Sequence, residues 1–221
     1  MKREIEVELR YGILGDSSID LKFFKKKRVI DIYFDTKTGS FFKKGIFIRR
    51  RDNRRLDFKF NLESIKGSDF KNDHSHCDEY TFKIPFQNSD KAKFREVCTL
   101  LKIKIPKKFV FENFLDINSF IPLVIIDKIR KETERDGFHI CIDNVKNIGV
   151  FIEVEKTIEL EENEKDYEKK LDKIKESINQ FVYSLGISVK RNEIGYCELA
   201  LREINFDLYR QGKYVLEEDK N

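Results

Sequence analysis

Near the amino terminus, charged and aliphatic residues alternate without interruption in the segment Glu4-Ile5-Glu6-Val7-Glu8-Leu9-Arg10. A spacing of two residues is the side-chain period of a β-strand, so the segment predicts a strand with one apolar and one charged face. The charged face carries three carboxylates and a guanidinium group. Neighbouring carboxylates repel one another unless a cation lies among them, and a divalent metal ion suits this role. This segment therefore favours a sheet whose polar face binds charged ligands.

The alternating pattern recurs in other parts of the chain. A second acidic segment, Phe151-Ile152-Glu153-Val154-Glu155, occurs late in the sequence. Between the two acidic segments, basic residues alternate with apolar ones in several predicted strands; these basic residues are Arg49, Arg51, Lys59, Lys128 and Arg130. Arginine can bind a phosphate through two parallel hydrogen bonds, whereas lysine acts as a point charge. Acidic and basic strand faces in one chain predict a barrel that holds a metal ion and a polyanion.

Composition narrows the class of protein. The 221 residues are enough for one barrel-sized domain with a real core, and no linker divides the chain, so we expect a single domain over residues 1–221. Charged residues make up 38%, but their net charge is only +4, and this balance argues against a nucleic-acid-binding protein. No apolar run approaches the length of a membrane span.

Cysteine and histidine usage carries further expectations. No two of Cys77, Cys98, Cys141 and Cys197 have the spacing of a zinc site, and the three histidines His74, His76 and His139 form no ligand-spaced set. The sequence therefore argues against zinc. The first residues lead directly into a charged strand, without a secretory signal, so a cytoplasmic protein with reduced thiols is expected.

Apolar periodicity predicts an α+β fold. The predicted strands cover residues 2–11, 30–34, 45–51, 54–61, 80–86, 124–132, 138–145 and 149–158. Helical spacing is clearest over residues 163–185 and weaker after residue 90 and over 192–201. Residues 62–76 are predicted to form an exposed loop. The Phe-rich segment 104–123 is irregular and is interpreted as a covering segment or an insert.

The order of these motifs resembles the CYTH family, the triphosphate tunnel metalloenzymes, which include class IV adenylate cyclases and thiamine triphosphatases. The resemblance spans nearly the whole chain, and its most specific parts are Asp31–Asp35, Gly45–Arg51 and Lys128–Glu155. It implies an eight-stranded antiparallel β-barrel, the triphosphate tunnel, with flanking helices. In a closed barrel, inward and outward side chains alternate along each strand, which agrees with the charge pattern.

The resemblance also implies roles for individual residues. It makes Glu6, Glu8, Glu153 and Glu155 candidate ligands of Mg²⁺ or Mn²⁺, with Glu6, Glu8 and Glu155 as candidate catalytic residues. The candidate triphosphate-binding residues are Arg10, Arg49, Arg51, Lys59, Lys128 and Arg130. Further candidates are Glu4, Glu79, Asp143 and Tyr33, of which Asp143 and Tyr33, taken alone, are more often structural.

Three features depart from the family pattern. The acidic motif, which in the family ends in lysine, can be aligned in two registers, and the register Glu6-Glu8-Arg10 is preferred because it keeps a cation. The middle strand of the family usually has an arginine and two glutamates, whereas here it reads Cys77-Asp78-Glu79-Tyr80-Thr81, which leaves Glu79 as its best acid. The segment 104–123 is longer than the usual connection.

These observations favour metal-dependent hydrolysis of a triphosphate, with inorganic tripolyphosphate, thiamine triphosphate or a nucleoside triphosphate as substrate. The second hypothesis is a class IV adenylate cyclase, which converts ATP to cyclic AMP and pyrophosphate. The third is a non-catalytic module that binds polyphosphate or nucleotides. The expected partner is the small-molecule substrate, without nucleic acid or membrane, and the chain is expected to be a monomer or a homodimer.

Overall fold

The computed structural model describes residues 2–15, 19, 21–65, 75–161 and 166–220. The strands in these residues are β1 (Lys2–Ile13), β2 (Lys25–Asp35), β3 (Phe47–Arg51), β4 (Arg55–Phe60), β5 (His76–Lys83), β6 (Ile121–Arg135), β7 (Phe138–Val145), β8 (Gly149–Glu161) and β9 (Val189–Asn192). The helices are α1 (Leu62–Ile65), α2 (Lys91–Leu100), α3 (Phe111–Asn118), α4 (Tyr167–Ser184), α5 (Tyr196–Ile204) and α6 (Phe206–Arg210).

The strands form one hydrogen-bonded sheet in the order β5-β4-β3-β2-β6-β7-β8-β1-β9. Strand β5 also pairs with β1, so eight strands close into an antiparallel β-barrel, and β9 is added beside β1. The predicted α+β fold with an eight-stranded barrel is therefore confirmed.

The chain divides into two compact units, each built from three separate stretches. The first unit contains Met1–Val29, Asp73–Cys77 and Asp127–Gly195, and the second contains Ile30–Asn72, Asp78–Ile126 and Tyr196–Asn221. Each unit has its own hydrophobic core. The expectation of a single domain over residues 1–221 stays a prediction.

The core of the first unit lies between the apolar face of β1 and helix α4. The alternating residues Ile5, Val7 and Leu9 are almost fully buried, and they belong to one cluster with Leu171 and Ile178 of the helix. Because successive strand residues point to opposite faces, the acidic residues between them are directed away from α4. The packing of α4 therefore determines which face of β1 can serve as a polar site. The predicted helix over 163–185 is confirmed as α4, although residues 162–165 lie outside the described part of the chain.

The core of the second unit is built largely from phenylalanine rings. Phe58 of β4, Phe94 of α2 and Phe114 of α3 meet edge to face, with ring centroids 5.4 to 6.0 Å apart. All three side chains are fully buried. Edge-to-face contacts match the electrostatics of aromatic rings and add to the stabilisation from burial.

The interpretation of segment 104–123 as a covering segment or an insert is wrong. It contains helix α3 and the start of β6, and Phe111, Phe114 and Phe120 belong to the core of the second unit. The helix starts after an extended Val110 without a side-chain cap, and it ends at Ser119, which has a left-handed backbone with φ of 53°. The usual start and stop signals are therefore missing from the sequence.

Other differences lie at element boundaries. The predicted loop 62–76 is wrong at both ends, because it starts with α1 and because β5 begins at His76; residues 66–74 lie outside the described part. The predicted helix over 192–201 instead begins at Tyr196, and Asn192 is the last residue of β9, paired with β1. Of the described helices, none is long and apolar enough to cross a membrane.

We predict that Phe114→Ala lowers the free energy of unfolding by about 3 to 5 kcal/mol, because it leaves a cavity among buried rings. Urea denaturation followed by circular dichroism measures the change. Ile105→Ala, at an exposed position of the same segment, is the matched control and changes stability by less than about 1 kcal/mol. Equal effects of the two substitutions would contradict the assignment of α3 to the core.

Candidate functional site

The register of the first unit places its acidic and basic side chains in rows across the strands. Glu8 of β1 lies opposite Glu155 of β8, which lies opposite His139 of β7. In the next row, Arg10 lies opposite Glu153. Directly opposite residues of antiparallel strands share a face, so these side chains come together.

Three carboxylates of the first unit converge. Glu6, Glu8 and Glu155 each offer an oxygen atom within 4.8 Å of those of the other two, and all three side chains are half-buried. Oxygen ligands of an octahedral Mg²⁺ at about 2.1 Å lie roughly 3 to 4 Å apart, so this carboxylate trio fits a hard divalent cation with small adjustments. Glu4, the third acidic candidate on β1, has a side chain outside the described part of the chain.

Arg10 joins the trio to the neighbouring row. Its Nη2 donates to Glu8 Oε1 at 2.5 Å, its Nε donates to Glu153 Oε1 at 2.7 Å, and its Nη1 donates to the carbonyl oxygen of Ile194 at 2.9 Å. The guanidinium group is therefore held in a fixed orientation between two carboxylates. The bond to Ile194 comes from a segment that sequence reasoning did not connect with the site.

The interior of the first unit contains a buried ion-pair network. Arg130 donates through Nε to Asp143 Oδ1 at 2.7 Å and also pairs with Glu153, while Lys128 Nζ donates to Asp143 Oδ2 at 2.6 Å. Burial alone raises the pKa of Glu153, but the charges of Arg10, Arg130 and Lys128 outweigh burial and hold that pKa well below its ordinary value. Glu153 is therefore placed between two guanidinium groups, and the structure does not bring it into the carboxylate trio.

His139 contacts the trio from the other side. Its Nδ1 lies 2.8 Å from Glu155 Oε1, and this hydrogen bond raises the pKa of His139 against the opposing effect of burial. His139 also belongs to a second group with potential metal-binding atoms, together with Glu132 and Cys141, whose atoms lie within 4.8 Å of one another. Sequence spacing did not reveal this group because its members come from two strands.

The second unit also contains a network of ion pairs. Arg49 donates to Asp57 Oδ2 at 2.7 Å and to Glu79 Oε1 at 3.3 Å, and Lys59 Nζ lies 2.7 Å from Glu79 Oε2. Arg51 forms a two-pronged pair with Asp31, at 2.6 and 2.8 Å. Such paired contacts fix the planes of both groups. The structure thus brings together three of the predicted site residues, Arg49, Lys59 and Glu79.

Two buried aspartates of this network, Asp31 and Asp57, were missing from the predicted site. Both are at most 1% exposed, and each lies across a strand pair from an arginine that was predicted. The available signal was their alternation with apolar residues, which places them on the face of Arg49 and Arg51. Tyr33 lies opposite Arg49, and burial raises the pKa of its hydroxyl group.

The altered middle strand is β5, where Cys77, Glu79 and Thr81 share one face. Glu79 lies opposite Lys59, and Thr81 lies opposite Asp57, to which its hydroxyl donates at 2.9 Å. Thr81 thus occupies the position of the second glutamate in the family motif. Its hydroxyl donates a hydrogen bond to Asp57, whereas a glutamate at this position would repel the aspartate. The replacement of this glutamate by threonine is therefore accommodated by the hydrogen bond to Asp57.

Comparisons with known proteins agree with this architecture. The family model for the CYTH domain matches residues 3–184. A protein of Methanocaldococcus jannaschii, named as a proposed adenylate cyclase, is 30% identical over 206 residues, which cover 90% of this chain and 98% of that protein.

Solved structures show the same fold. A Pyrococcus horikoshii protein is 22% identical with a TM-score of 0.54, and the match covers 90% of this chain and 99% of that one. A proposed adenylyl cyclase from Hippeastrum, described as having a dominant triphosphatase activity, is 18% identical with a TM-score of 0.50, and the match covers 96% of this chain and 97% of that one.

The ion pairs of Glu79 predict a pH dependence of stability. Burial raises the pKa of Glu79, but Lys59 and Arg49 outweigh it and lower this pKa from 4.5 to about 2. A carboxyl group with a lowered pKa in the folded state stabilises the protein above its unfolded pKa. This stabilisation, at most about 3 kcal/mol, is lost as the pH falls towards 2.

We therefore expect Glu79→Gln to lower the free energy of unfolding near pH 7 and to flatten its decline between about pH 5 and pH 2. Denaturant unfolding at a series of pH values measures both effects. Glu112→Gln, which alters an exposed carboxylate in α3, serves as the control and keeps the parental profile. A parental profile in Glu79→Gln as well would show that these ion pairs do not stabilise the fold.

Proposed function

Because the chain belongs to the CYTH family, we propose that it is an enzyme that hydrolyses a triphosphate with Mg²⁺ or Mn²⁺ as cofactor. The observation that carries this proposal is the carboxylate trio of Glu6, Glu8 and Glu155, placed directly beside a buried group of cationic side chains. A metal ion and a polyanion need these two environments next to each other.

The distribution of charge in the first unit supports the proposal. The carboxylate trio carries three negative charges and contacts the cation of Arg10. Beside it, Arg10, Lys128 and Arg130 surround Asp143 and Glu153, so this part carries one more positive than negative charge. A divalent cation would reduce the repulsion within the trio, and the excess positive charge would attract phosphate oxygens.

The roles of the residues follow from this arrangement. Glu6, Glu8 and Glu155 would hold the cation, which when bound neutralises phosphate oxygens and orients a water molecule. Lys128 and Arg130 would stabilise charge on the transferred phosphoryl group. Arg10 acts as a positioning residue, since its hydrogen bonds hold Glu8 and Glu153 in place. One of the three trio carboxylates would accept the proton of the attacking water.

The substrate class is inorganic tripolyphosphate, thiamine triphosphate or a nucleoside triphosphate. The activity named for the Hippeastrum protein supports hydrolysis. The name of the Methanocaldococcus jannaschii protein favours a second candidate, adenylate cyclisation of ATP. In that reaction the nucleophile is the ribose 3′-hydroxyl and the leaving group is pyrophosphate. A module that binds triphosphates without turnover is the third candidate.

The remaining sequence-based expectations belong to the same proposal. The small-molecule substrate is the partner, and the balanced net charge of +4 is consistent with the absence of nucleic acid. Cys98, Cys141 and Cys197 are free thiols, which suits a cytoplasmic location. A monomer or a homodimer is expected.

³¹P NMR distinguishes the candidate reactions, with tripolyphosphate or ATP as substrate and with Mg²⁺ or Mn²⁺ as cation. We expect orthophosphate to appear from tripolyphosphate and turnover to stop when the cation is chelated. Pyrophosphate and a cyclic phosphodiester from ATP would establish the cyclase instead. Binding of either compound without any change in the spectra would replace both reactions with the binding module.

We predict that Glu155→Gln lowers turnover by about 100-fold or more, because the trio loses a charged ligand of the cation. The control is Glu168→Gln, an exposed glutamate at the start of α4, which keeps the parental rate. Initial rates of phosphate release at saturating cation measure the effect. Parental turnover in Glu155→Gln would remove the trio from the reaction.

Lys128→Ala is expected to weaken binding of tripolyphosphate several-fold or more, since it removes a buried cation beside Asp143. Isothermal titration calorimetry measures binding, and Arg28→Ala, at an exposed ion pair with Asp127, is the control. Arg51→Ala tests the corresponding prediction for the second unit. If Lys128→Ala and Arg51→Ala both bind as the parent does, the phosphate-binding residues are assigned incorrectly.

A further inference from the structure

We propose that Glu132, His139 and Cys141 form a second cation site, which binds a borderline-soft divalent ion such as Zn²⁺ or Co²⁺. This site goes beyond the proposed function and does not depend on it. Glu132 of β6 lies directly opposite Cys141 of β7, and His139 is two residues from Cys141 on the same strand. The three side chains therefore share one face of the sheet.

The distances between these side chains suit binding of one metal ion. One potential ligand atom from each residue lies within 4.8 Å of the other two, and Cys141 Sγ is 4.0 Å from His139 Nε2. In a tetrahedral zinc site, sulfur at about 2.3 Å and nitrogen at about 2.0 Å lie roughly 3.5 Å apart. Shifts of a few tenths of an ångström would therefore bring both atoms to one ion.

The donor set determines the class of metal. A thiolate, an imidazole and a carboxylate are typical ligands of zinc, with water in the fourth position. The carboxylate trio, by contrast, offers oxygen atoms alone and suits Mg²⁺ or Mn²⁺. The two groups differ in chemistry, so each is expected to select a different ion.

The orientation of His139 supports metal binding. Its Nδ1 lies 2.8 Å from Glu155 Oε1, so Nε2 is the ring nitrogen available to a metal ion. Cys141 Sγ is nearly equidistant from Nδ1 and Nε2, at 3.9 and 4.0 Å. Histidine ligands of metals usually donate their other ring N–H to a carboxylate, which fixes the ring and the tautomer. Glu155 already provides this arrangement, and it would also link the second site to the carboxylate trio.

Three basic side chains, Lys25, Lys27 and Arg130, oppose a cation here. Lys25 Nζ lies 3.6 Å from Glu132 Oε2, and its side chain is 55% exposed. Lys27 Nζ pairs with Glu132 Oε1 at 2.7 Å, but this lysine side chain is 34% exposed and can turn towards solvent. Arg130 lies beside the group and pairs with Asp143 and Glu153. Lys25 and Lys27 are thus the removable competitors for Glu132, because Arg130 already pairs with two other carboxylates.

Binding changes the protonation of the ligands without any redox step. Burial raises the pKa of the Cys141 thiol, so the thiol carries its proton before the metal arrives. When the metal–sulfur bond forms, this proton passes to solvent, since a coordinated thiol is deprotonated. A proton on Nε2 of His139 likewise passes to solvent when Nε2 forms the second bond to the metal.

Titration of the full chain with Co²⁺, followed by absorption spectroscopy, tests the site. We expect one equivalent to produce a thiolate-to-cobalt charge-transfer band in the near ultraviolet, which Zn²⁺ then removes by displacement. The band should be lost in Cys141→Ser and retained in Cys77→Ser, the matched cysteine control on β5. A parent protein without the band, or a Cys141→Ser variant that keeps it, would overturn the proposal.

Two further measurements do not require the Cys141 variant to fold. The double variant Lys25→Ala, Lys27→Ala should bind Co²⁺ several-fold more tightly than the parent, because Glu132 loses both competing lysines. In the parent, Zn²⁺ should shift the imidazole ¹⁵N resonance of Nε2 of His139, a signal that His139→Gln identifies. Unchanged affinity in the double variant would remove Glu132 from the site, and an unshifted His139 signal would remove the imidazole; either result overturns the proposal.

Discussion

Pairing of buried charges is the constraint on which the rest of the structure depends. Arg130, 7% exposed, contacts both Asp143 and Glu153, and Glu153 in turn holds Arg10. Removing one member of such a network typically costs about 3 to 5 kcal/mol, because it leaves a buried charge without compensation. The strands of the first unit must therefore keep one register, since a shift by one residue would turn every charged side chain to the opposite face.

The apolar face of the same strands reinforces this register. Helix α4 covers Ile5, Val7 and Leu9, which alternate with the acidic residues of β1. A strand that slipped by one residue would lose its ion pairs and its hydrophobic contacts together. Charge pairing and core packing therefore specify the same arrangement, and this agreement is what allows so many ionised groups in a protein interior.

The internal ion pairs also bear on ligand binding. Sequence reasoning treated Arg49, Arg51, Lys128 and Arg130 as cations available to phosphate. In the structure, each of them already contacts an aspartate. A phosphate oxygen must add to these contacts or compete with them, so the aspartates would hold the cations in position and moderate their affinity for anions.

The sequence by itself determined the class of fold and much of the candidate site. Strict alternation assigned Glu6, Glu8, Arg10 and Glu155 to strand faces, because side-chain period depends on the local backbone alone. This alternation could not reveal which strands pair and therefore which charged faces meet. Three features depend on how distant segments pair or pack. They are the core helix α3, the aspartate partners of the arginines, and the group of Glu132, His139 and Cys141. Only the tertiary structure decided these features, because pairing register and packing are properties of the whole chain and leave no fixed spacing in the sequence.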